Sequence, residues 1–314
     1  MDPISNSIPI ESQRKAMLDS LFHTKWDLEE IFFGSHWTRR MKRWLYFFPF
    51  YLKFFLTERH LIPEKVLAFN TFWGRKFFIH SGDMESILLT CESKRLVNAE
   101  ARLSLYLIKH LKTSDCFYDA GAAFGFYTML AMDLSVGQIH AFEPDTRIFR
   151  DLQKNALGAS NVFTNNTALS DQDGDAVLFK NTKGSATNSI IPEVAETYKS
   201  ILHAKYHNEP VKTVTLDQYT TTNTPPTFVK IDVEGGESLV IKGGRQTFAK
   251  YHPTIAMEVW GGERGETFSK KGVDLLQQLG YKAFKISETG EAEPMSIVDY
   301  FSIKSLENLI FMHQ

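Results

Sequence analysis

The sequence contains little cysteine, little net charge and no long hydrophobic run. Its two cysteines, Cys91 and Cys116, are too few for a disulfide framework or a zinc cluster, which favours a reducing compartment. The formal net charge of −2 argues against a broad basic surface, so we expect no nucleic-acid partner. No stretch supplies the roughly 20 consecutive apolar residues of a membrane-spanning helix. The first residues also lack the basic-then-apolar order of a secretory signal, so we expect a cytoplasmic protein.

The segment from residue 39 to residue 56 combines cations with aromatic and aliphatic side chains. It reads RRMKRWLYFFPFYLKFFL, with four cations ahead of an apolar run that Pro49 and Lys53 interrupt. One interpretation is peripheral contact with an anionic membrane surface, with the cations at the headgroups and the rings at the interface. The other is packing against the main domain, which is the commoner role of aromatic stripes. We favour packing and keep the membrane contact as the alternative.

The order of the predicted elements divides the chain into an N-terminal extension and one larger domain. Residues 1–65 read as a helical extension, and residues 66–314 read as one α/β domain that opens with a hairpin around Gly74. From residue 98 onward, apolar strands alternate with helical patterns, which predicts a doubly wound, mostly parallel sheet. The main predicted strands are 116–120, 138–144, 227–233 and 254–260, and the predicted helices are 98–112, 125–134, 145–157 and 237–250.

Acidic residues follow three of the predicted parallel strands. Asp119, Glu143 and Asp232 lie at the carboxyl ends of the strands predicted at 116–120, 138–144 and 227–233, and Glu234 directly follows the last of these strands. The carboxyl ends of parallel strands meet at one edge of a sheet, where open α/β proteins bind their ligands. We therefore expect these carboxylates to surround a ligand site.

A glycine-containing turn, CFYDAGAAFGFYT, joins the strand at 116–120 to the next helix. Its order is Asp119-x-Gly121-x-x-x-Gly125, which differs from the G-x-G-x-x-G of dinucleotide sites. A carboxylate before the first glycine repels a pyrophosphate but suits a ligand that carries an ammonium or a sulfonium group. S-adenosylmethionine carries both. Glu143, 22 residues beyond Gly121, is placed to accept both hydroxyls of a ribose.

From about residue 72 to its C-terminus, the chain resembles the FkbM-type S-adenosylmethionine-dependent methyltransferases. The resemblance rests on FYDAGAAFGFYT, HAFEPD and TALSD, and above all on TLDQY, FVKIDVEGGESLVIKGG and PTIAMEVW. It implies a seven-stranded, mostly parallel sheet of the Rossmann-like class I methyltransferase type, with one antiparallel strand. The first 65 residues match nothing in that family.

The resemblance also implies positions for the cofactor. Asp119, Gly121 and Gly125 are expected to bracket the methionine portion, and Glu143 to hold the ribose. The full set of expected cofactor contacts is Glu100, Asp119, Gly121, Ala122, Phe124, Gly125, Tyr127, Thr128, Glu143, Pro144 and Ala168. One position departs from the family, which usually has Asn where Ala123 stands.

The strand-end carboxylates are also the candidates for catalysis. A hydroxyl acceptor must lose its proton during methyl transfer, and Asp232 or Glu234 can serve as the base, with Lys230 offsetting part of the acidic charge. The structural alternative is that Asp232 caps the next helix while Lys230 pairs with it. Asp232, Glu234 and Glu258 also offer the hard oxygen ligands that Mg²⁺ or Ca²⁺ prefers, although we assign no metal.

The polar segment 181–190 is expected to form a loop over the methyl acceptor. We expect Ser185, Asn188 and Glu258 to contact that acceptor, which is a small molecule or a glycan. The leading hypothesis is O-methylation of a hydroxyl of a sugar, glycan or polyketide-like metabolite. The alternatives are an NAD(P)-dependent oxidoreductase and a non-catalytic adaptor with a methyltransferase fold at a membrane. The sequence leaves the oligomeric state open.

Overall fold

The structure is a computed structural model that describes residues 10–32, 48–49, 52–57, 59, 61–83, 98–182, 184–202 and 205–314. Residues 39–47, which include all four cations that precede the apolar run of the segment 39–56, lie outside these residues, as does Cys91. Within them, no helix combines the length and the apolar character that crossing a membrane requires.

The N-terminal part contains one long helix and a hairpin. Helix α1 spans Ile10–Phe32, and strands β1 (Val66–Asn70) and β2 (Lys76–His80) pair antiparallel, which confirms the predicted hairpin. Met17 and Leu21 of α1 are buried in the same apolar cluster as Leu103. At least this helix of the extension therefore packs on the main body.

The main body contains most of the strands and helices. Its strands are β3 (Cys116–Ala120), β4 (Gln138–Phe142), β5 (Val162–Asn165), β6 (Ala168–Leu169), β7 (Gly174–Asn181), β8 (Tyr206–Val214), β9 (Phe228–Ile231), β10 (Thr254–Trp260), β11 (Tyr281–Ile286), β12 (Ala292–Pro294) and β13 (Leu306–His313). Its helices are α2 (Asn98–His110), α3 (Phe126–Asp133), α4 (Thr146–Asn155), α5 (Pro192–Leu202), α6 (Leu216–Tyr219), α7 (Glu237–Gly243), α8 (Arg245–Tyr251), α9 (Gly262–Arg264), the π-helix Gly265–Ser269, α10 (Lys270–Gln278) and α11 (Ile297–Phe301).

The central sheet has eight strands in the order β12-β11-β13-β10-β9-β3-β4-β5. The five strands from β10 to β5 are parallel to one another, and β13 runs antiparallel to β10. The expected seven-stranded, mostly parallel sheet is thus present. The eighth strand is the three-residue β12, which forms a hairpin with β11 at the edge of the sheet.

Helices cover both faces of this sheet, as the alternating sequence pattern predicts. On one face, α1, α2 and α3 contribute side chains such as Met17, Leu107 and Leu130 to one apolar cluster. On the other face, α7, α8 and α10 contribute Val240, Phe248 and other side chains to a second cluster. Strands β3, β4, β9 and β10 are therefore largely buried on both sides, and this explains their continuous apolar runs.

Two features differ from the sequence-based expectation. The predicted helix 237–250 is two helices, α7 and α8, which are separated at Gly244. At the end of α7 the chain passes so close to Ser170 that a Cβ on Gly243 would lie 1.9 Å from the Ser170 carbonyl oxygen. Between β7 and β8 of a second, three-stranded sheet (β6-β8-β7) lies α5, which the sequence analysis did not predict. This second sheet positions the loop that follows β7.

Candidate active site

The glycine turn after β3 lies directly against the end of β9. Gly121 has a φ of 75°, and a Cβ there would lie 1.8 Å from the carbonyl oxygen of Asp232. This close approach of the two backbones brings together the end of β3, with Asp119, and the end of β9, with Asp232. A side chain at Gly121 thus collides with protein before it reaches any ligand, so substitution there disturbs the fold and is unsuitable as a test of ligand binding.

A buried ammonium group links these two strand ends. The Lys230 side chain is almost fully buried, and its Nζ lies 3.0 Å from the Gly121 carbonyl oxygen, 3.2 Å from Asp232 and 3.5 Å from Asp119. Asp119 is fully buried and accepts a hydrogen bond from the Thr128 hydroxyl at 2.7 Å. Burial lowers the pKa of Lys230, but Asp232 and Asp119 outweigh it and raise the pKa, so the ammonium stays charged.

Glu100 belongs to the same polar group. One of its oxygens accepts a hydrogen bond from the Tyr127 hydroxyl, and the other accepts one from Asn308 at 3.3 Å. Burial and the charge of Asp232 raise the pKa of Glu100, while the hydrogen bond from Tyr127 opposes that shift. The sequence analysis named Glu100 among the expected cofactor contacts, and its position on the cavity wall is compatible with such a contact.

Glu143 lies on another part of the cavity wall. Its two oxygens each accept a backbone hydrogen bond, from Ala123 at 3.0 Å and from Asp145 at 2.8 Å. Burial and the charge of Asp145 raise the pKa of Glu143 to about 8, although both backbone hydrogen bonds act in the opposite direction. Each oxygen keeps a lone pair, so the side chain can still accept further hydrogen bonds from a ligand.

Asp232, Glu234 and Glu258 form an acidic cluster. Each offers an oxygen within 4.8 Å of the oxygens of the other two. Burial raises the pKa of Glu258 well above its usual range, and the charges of Asp232 and Glu234 add to the effect. Glu234 adopts a left-handed backbone with a φ of 53°, and it accepts a hydrogen bond from the Tyr198 hydroxyl at 3.3 Å. A non-glycine residue in this conformation is strained, which is common at functional sites.

The structure contradicts the hypothesis that Asp232 caps the next helix, α7. The N-cap residue of helix α7 is Gly236, which has no side chain to cap with, and the Glu237 carboxylate accepts hydrogen bonds from the backbone of Val233 and Gly235. The other half of that alternative, pairing with Lys230, is present. Asp232 thus faces the cavity and its lysine partner.

The loop after β7 is fixed by three hydrogen-bonded anchors. Ser185 donates its hydroxyl hydrogen to Asp83 at 2.5 Å, and Asn188 donates to Asp145 at 3.0 Å. Ser189 donates to the backbone oxygen of Glu234 at 2.6 Å. Ser185 and Asn188 line the cavity, as acceptor-contacting residues must, but their side chains also hold the loop in place. Their contact with an acceptor stays a prediction.

These groups surround one cavity of about 470 Å³. Most of the residues predicted for the site line it: Glu100, Gly121, Ala122, Phe124, Tyr127, Glu143, Pro144, Ala168, Ser185, Asn188, Lys230, Asp232, Glu234 and Glu258. Three others, Asp119, Gly125 and Thr128, are buried behind the wall. Asp119 reaches the cavity through Lys230 rather than directly, so its contact with a cofactor stays a prediction.

The structure adds residues to the site that sequence analysis missed. Asp83 and Asp145 anchor the loop after β7, and Tyr198 of the unpredicted helix α5 contacts Glu234. Asp145 had a local signal, since it caps α4 by accepting hydrogen bonds from Arg147 and Ile148. No local sequence pattern indicated a functional role for Asp83 or Tyr198.

Several solved structures are similar to this chain at low sequence identity. The methyltransferase FkbM of Methylobacillus flagellatus is 14% identical, with 65% of this chain and 44% of that chain covered and a TM-score of 0.41. A precorrin-6y C5,15-methyltransferase of Geobacter metallireducens is 15% identical, with 70% and 93% covered and a TM-score of 0.39. Aeropyrum pernix fibrillarin, solved with natively bound S-adenosyl-L-methionine, is 14% identical, with 67% and 73% covered and a TM-score of 0.37.

The chain spans less than half the length of the first of these proteins. No curated protein sequence matches it. The model of the methyltransferase FkbM domain, in contrast, matches residues 119–283, which is more than half of the chain and includes the turn after β3, the acidic strand ends and the loop after β7. The chain therefore belongs to the FkbM methyltransferase family.

Proposed function

We propose that the protein is an S-adenosylmethionine-dependent O-methyltransferase that acts on a hydroxyl of a sugar, glycan or polyketide-like metabolite. The observation that carries this proposal is a single cavity bounded by Glu143 and by the cluster of Lys230, Asp232 and Glu258. Membership of a methyltransferase family favours this reaction over the nicotinamide-dependent oxidoreductase considered from the sequence. The sugar, glycan or polyketide class of the acceptor is an inference from the family resemblance.

The cavity fits the cofactor in charge and in hydrogen-bonding groups. Glu143 can accept hydrogen bonds from ribose hydroxyls, and Glu100 can accept one from an ammonium. Among the described residues, five carboxyl groups and one lysine line the cavity: Glu100, Glu143, Asp232, Glu234 and Glu258, with Lys230. An excess of carboxylates favours a ligand with positive charge. When bound there, S-adenosylmethionine supplies an electrophilic methyl group and a neutral thioether leaving group.

The residues of the chain supply orientation and proton removal. The acceptor oxygen loses its proton as it forms the bond to carbon, and Asp232 is positioned in the cavity to accept that proton. Lys230 holds Asp232 at 3.2 Å and is itself fixed by the Gly121 carbonyl oxygen, so the carboxylate is preorganised. Glu234 is the second candidate for the base. The closely spaced oxygens of Asp232, Glu234 and Glu258 are also suitable ligands for a divalent cation, which would orient the acceptor.

A labelling experiment tests the proposed reaction. Cells that produce either the wild-type protein or Asp232→Asn are fed methionine with a deuterated methyl group, and their glycans, lipids and metabolites are compared by mass spectrometry. We expect a labelled methyl ether with the wild-type protein and a loss of roughly 100-fold or more with Asp232→Asn, since a general base contributes about that much. Asp175→Asn is the control, because Asp175 is exposed on β7 and pairs with the exposed Lys212.

The outcomes separate the alternatives. Equal labelled products from wild type and Asp232→Asn remove Asp232 from the role of base. Binding of S-adenosylmethionine by the purified protein without any labelled product favours the adaptor. Quenching of NADH fluorescence by the protein, together with no binding of S-adenosylmethionine, favours the oxidoreductase.

The affinity for S-adenosylmethionine is expected to rise with pH up to about pH 8. The raised pKa of Glu143, about 8, means that its carboxyl group holds a proton over most of the range below that pH. A cationic ligand favours the ionised form, so binding releases protons and tightens by at most about tenfold per pH unit for each such group. Above about pH 8 the amino group of the ligand loses its own charge, and the gain ends. Calorimetric titrations in buffers of different ionisation enthalpy measure both the affinity and the released protons.

The stability of the free protein follows the opposite trend. Between the usual value of 4.5 and the raised value of about 8, the folded state holds the Glu143 proton and the unfolded state does not. The contribution of this carboxyl group to stability is therefore complete below pH 4.5 and is lost as the pH rises through about 8. An affinity that is independent of pH, with normal melting curves, contradicts the role given to Glu143.

A further inference from the structure

An arginine contacts two aromatic rings just beyond the end of β10. The guanidinium carbon of Arg264, in α9, lies 3.9 Å from the centre of the Trp260 ring and 5.1 Å from the centre of the Tyr198 ring. The faces of both rings attract a cation. A ring face satisfies the guanidinium only in part, because this group has five N–H donors that seek hydrogen-bond acceptors.

Backbone contacts fix the position of this arginine. The residue that follows it, Gly265, packs so closely that a Cβ there would lie 2.0 Å from the carbonyl oxygen of Trp260. The N–H of Trp260 donates a hydrogen bond to the Ser269 hydroxyl at 2.9 Å. The turn that carries Arg264 is therefore held against the end of β10.

Both rings lie beside the active-site cavity. The Tyr198 hydroxyl donates to Glu234 at 3.3 Å, and Glu234 lines the cavity. Trp260 is paired with Leu306 across the β10–β13 ladder and lies two residues beyond Glu258 on β10, so these three side chains share one face of the sheet. Glu258 and Leu306 both line the cavity. The arginine that the rings contact thus lies next to the acidic end of the cavity.

Arg264 has no carboxylate partner in the described part of the chain. The other half-buried arginines of these residues all bind oxygen atoms: Arg75, Arg102 and Arg147 pair with carboxylates, and Arg14 donates to backbone carbonyl oxygens. A half-buried guanidinium that is fixed in place and has no anion is suited to bind one from a ligand.

The charge of Arg264 acts at the rim of the cavity. Burial raises the pKa of the Tyr198 hydroxyl, the charge of Glu234 raises it further, and the charge of Arg264 lowers it. Inside the cavity, the lysine among the described lining residues, Lys230, is already paired with Asp232. The carboxylates there repel an anionic group of a ligand, whereas Arg264 attracts such a group to the rim.

We propose that Arg264 binds an anionic group, a carboxylate or a phosphate, of the methyl acceptor. The inference rests on the proposed function and narrows its acceptor to a molecule that carries an anionic group as well as the hydroxyl to be methylated. Trp260 and Tyr198 hold the guanidinium in place, and hydrogen bonds from its N–H groups orient the acceptor. The hydroxyl then lies in the cavity near Asp232, and the anionic group lies at the rim.

Titration of the full-length protein with simple sugars tests the contact without turnover. Glucuronate supplies a carboxylate, glucose 6-phosphate supplies a phosphate, and glucose is the neutral comparison; NMR saturation transfer measures their binding. We expect one of the anions to bind at least about tenfold more tightly than glucose, and Arg264→Gln to abolish this advantage. The anion that binds more tightly identifies the group.

A matched variant controls for the loss of positive charge. Arg150→Gln removes the same charge from α4, where Arg150 is exposed and does not line the cavity. This variant is expected to keep the preference for the anion. Binding of glucose as tight as that of both anions, or an equal loss of the preference in Arg150→Gln and Arg264→Gln, overturns the proposal.

The labelled product separates this proposal from the proposed function. We expect an anion-exchange resin at neutral pH to retain the deuterated product, and Arg264→Gln to lower its yield by about tenfold or more. Melting curves and the affinity for S-adenosylmethionine should stay at wild-type values in Arg264→Gln. A neutral labelled product overturns the anion contact and leaves methyl transfer standing. Binding of the sugar anions through Arg264 without any labelled product contradicts the proposed function and supports the anion contact.

Discussion

Replacing Lys230 with methionine is expected to lower the free energy of unfolding by about 3–5 kcal/mol. Methionine fills similar space but removes the ammonium beside the fully buried Asp119, and among the described residues no other cation is paired with that carboxylate. Breaking a buried ion pair by removing one partner costs about this much, since the remaining charge stays buried without compensation. Chemical denaturation of the protein without cofactor measures the loss directly.

An exposed ion pair provides the control for this prediction. Lys212 lies 2.7 Å from Asp175, closer than Lys230 lies to Asp119, but both partners are largely exposed. Lys212→Met is therefore expected to cost less than about 1 kcal/mol. The double variant Asp119→Asn/Lys230→Met is expected to recover part of the loss, because the uncompensated charge is gone. Equal effects of Lys230→Met and Lys212→Met contradict the buried network.

The sequence indicated which edge of the sheet borders the cavity, because the information needed for that prediction is local. Strands β3 and β10 have the bounds that their apolar runs indicate, 116–120 and 254–260. Parallel strands buried on both faces must be apolar throughout, so a carboxylate at the end of such a run is conspicuous. The parallel order then brings Asp119, Glu143 and Asp232 to one edge without any further information.

The parts that the sequence did not predict depend on contacts between distant residues. Asp83 and Ser185 are separated by 102 positions, and no periodic pattern connects them. Tyr198 reaches Glu234 only because α5 packs beside the end of β9, which no local signal encodes. Such contacts appear only when the elements are assembled, so sequence analysis assigned Ser185 to the acceptor without seeing its structural partner.

Ala123, where the family usually has Asn, lies at a position with an unusual backbone conformation. The residue has a left-handed backbone with a φ of 48°, a conformation that Asn adopts more readily than Ala. Its N–H donates to Glu143 at 3.0 Å, so the turn still orients the carboxylate. The family's Asn therefore fits the backbone conformation of this turn, and its absence leaves the N–H contact intact.

Replacing Glu143 with alanine is expected to weaken binding of S-adenosylmethionine by about 100-fold or more. Hydrogen bonds to a charged group are worth about 1.5–3 kcal/mol each, and Glu143 in its ionised form, which prevails above about pH 8, can accept two from a ribose. Isothermal titration calorimetry measures the affinity. Glu293→Ala is the control, because Glu293 is an exposed carboxylate on β12, at the opposite edge of the sheet. Binding within about threefold of the wild type contradicts the ribose contact, since even one lost hydrogen bond costs more.

Glu143→Gln adds a test of the unliganded site, because it should be less stable than Glu143→Ala. Both carboxyl oxygens accept a backbone N–H, from Ala123 and from Asp145, and the amide group of glutamine has only one acceptor atom. The glutamine NH₂ must then face one of these N–H groups, at a cost of about 1–3 kcal/mol. Alanine leaves space in the open cavity for water to accept both hydrogen bonds. A higher melting temperature for Glu143→Gln than for Glu143→Ala is the result that contradicts this geometry.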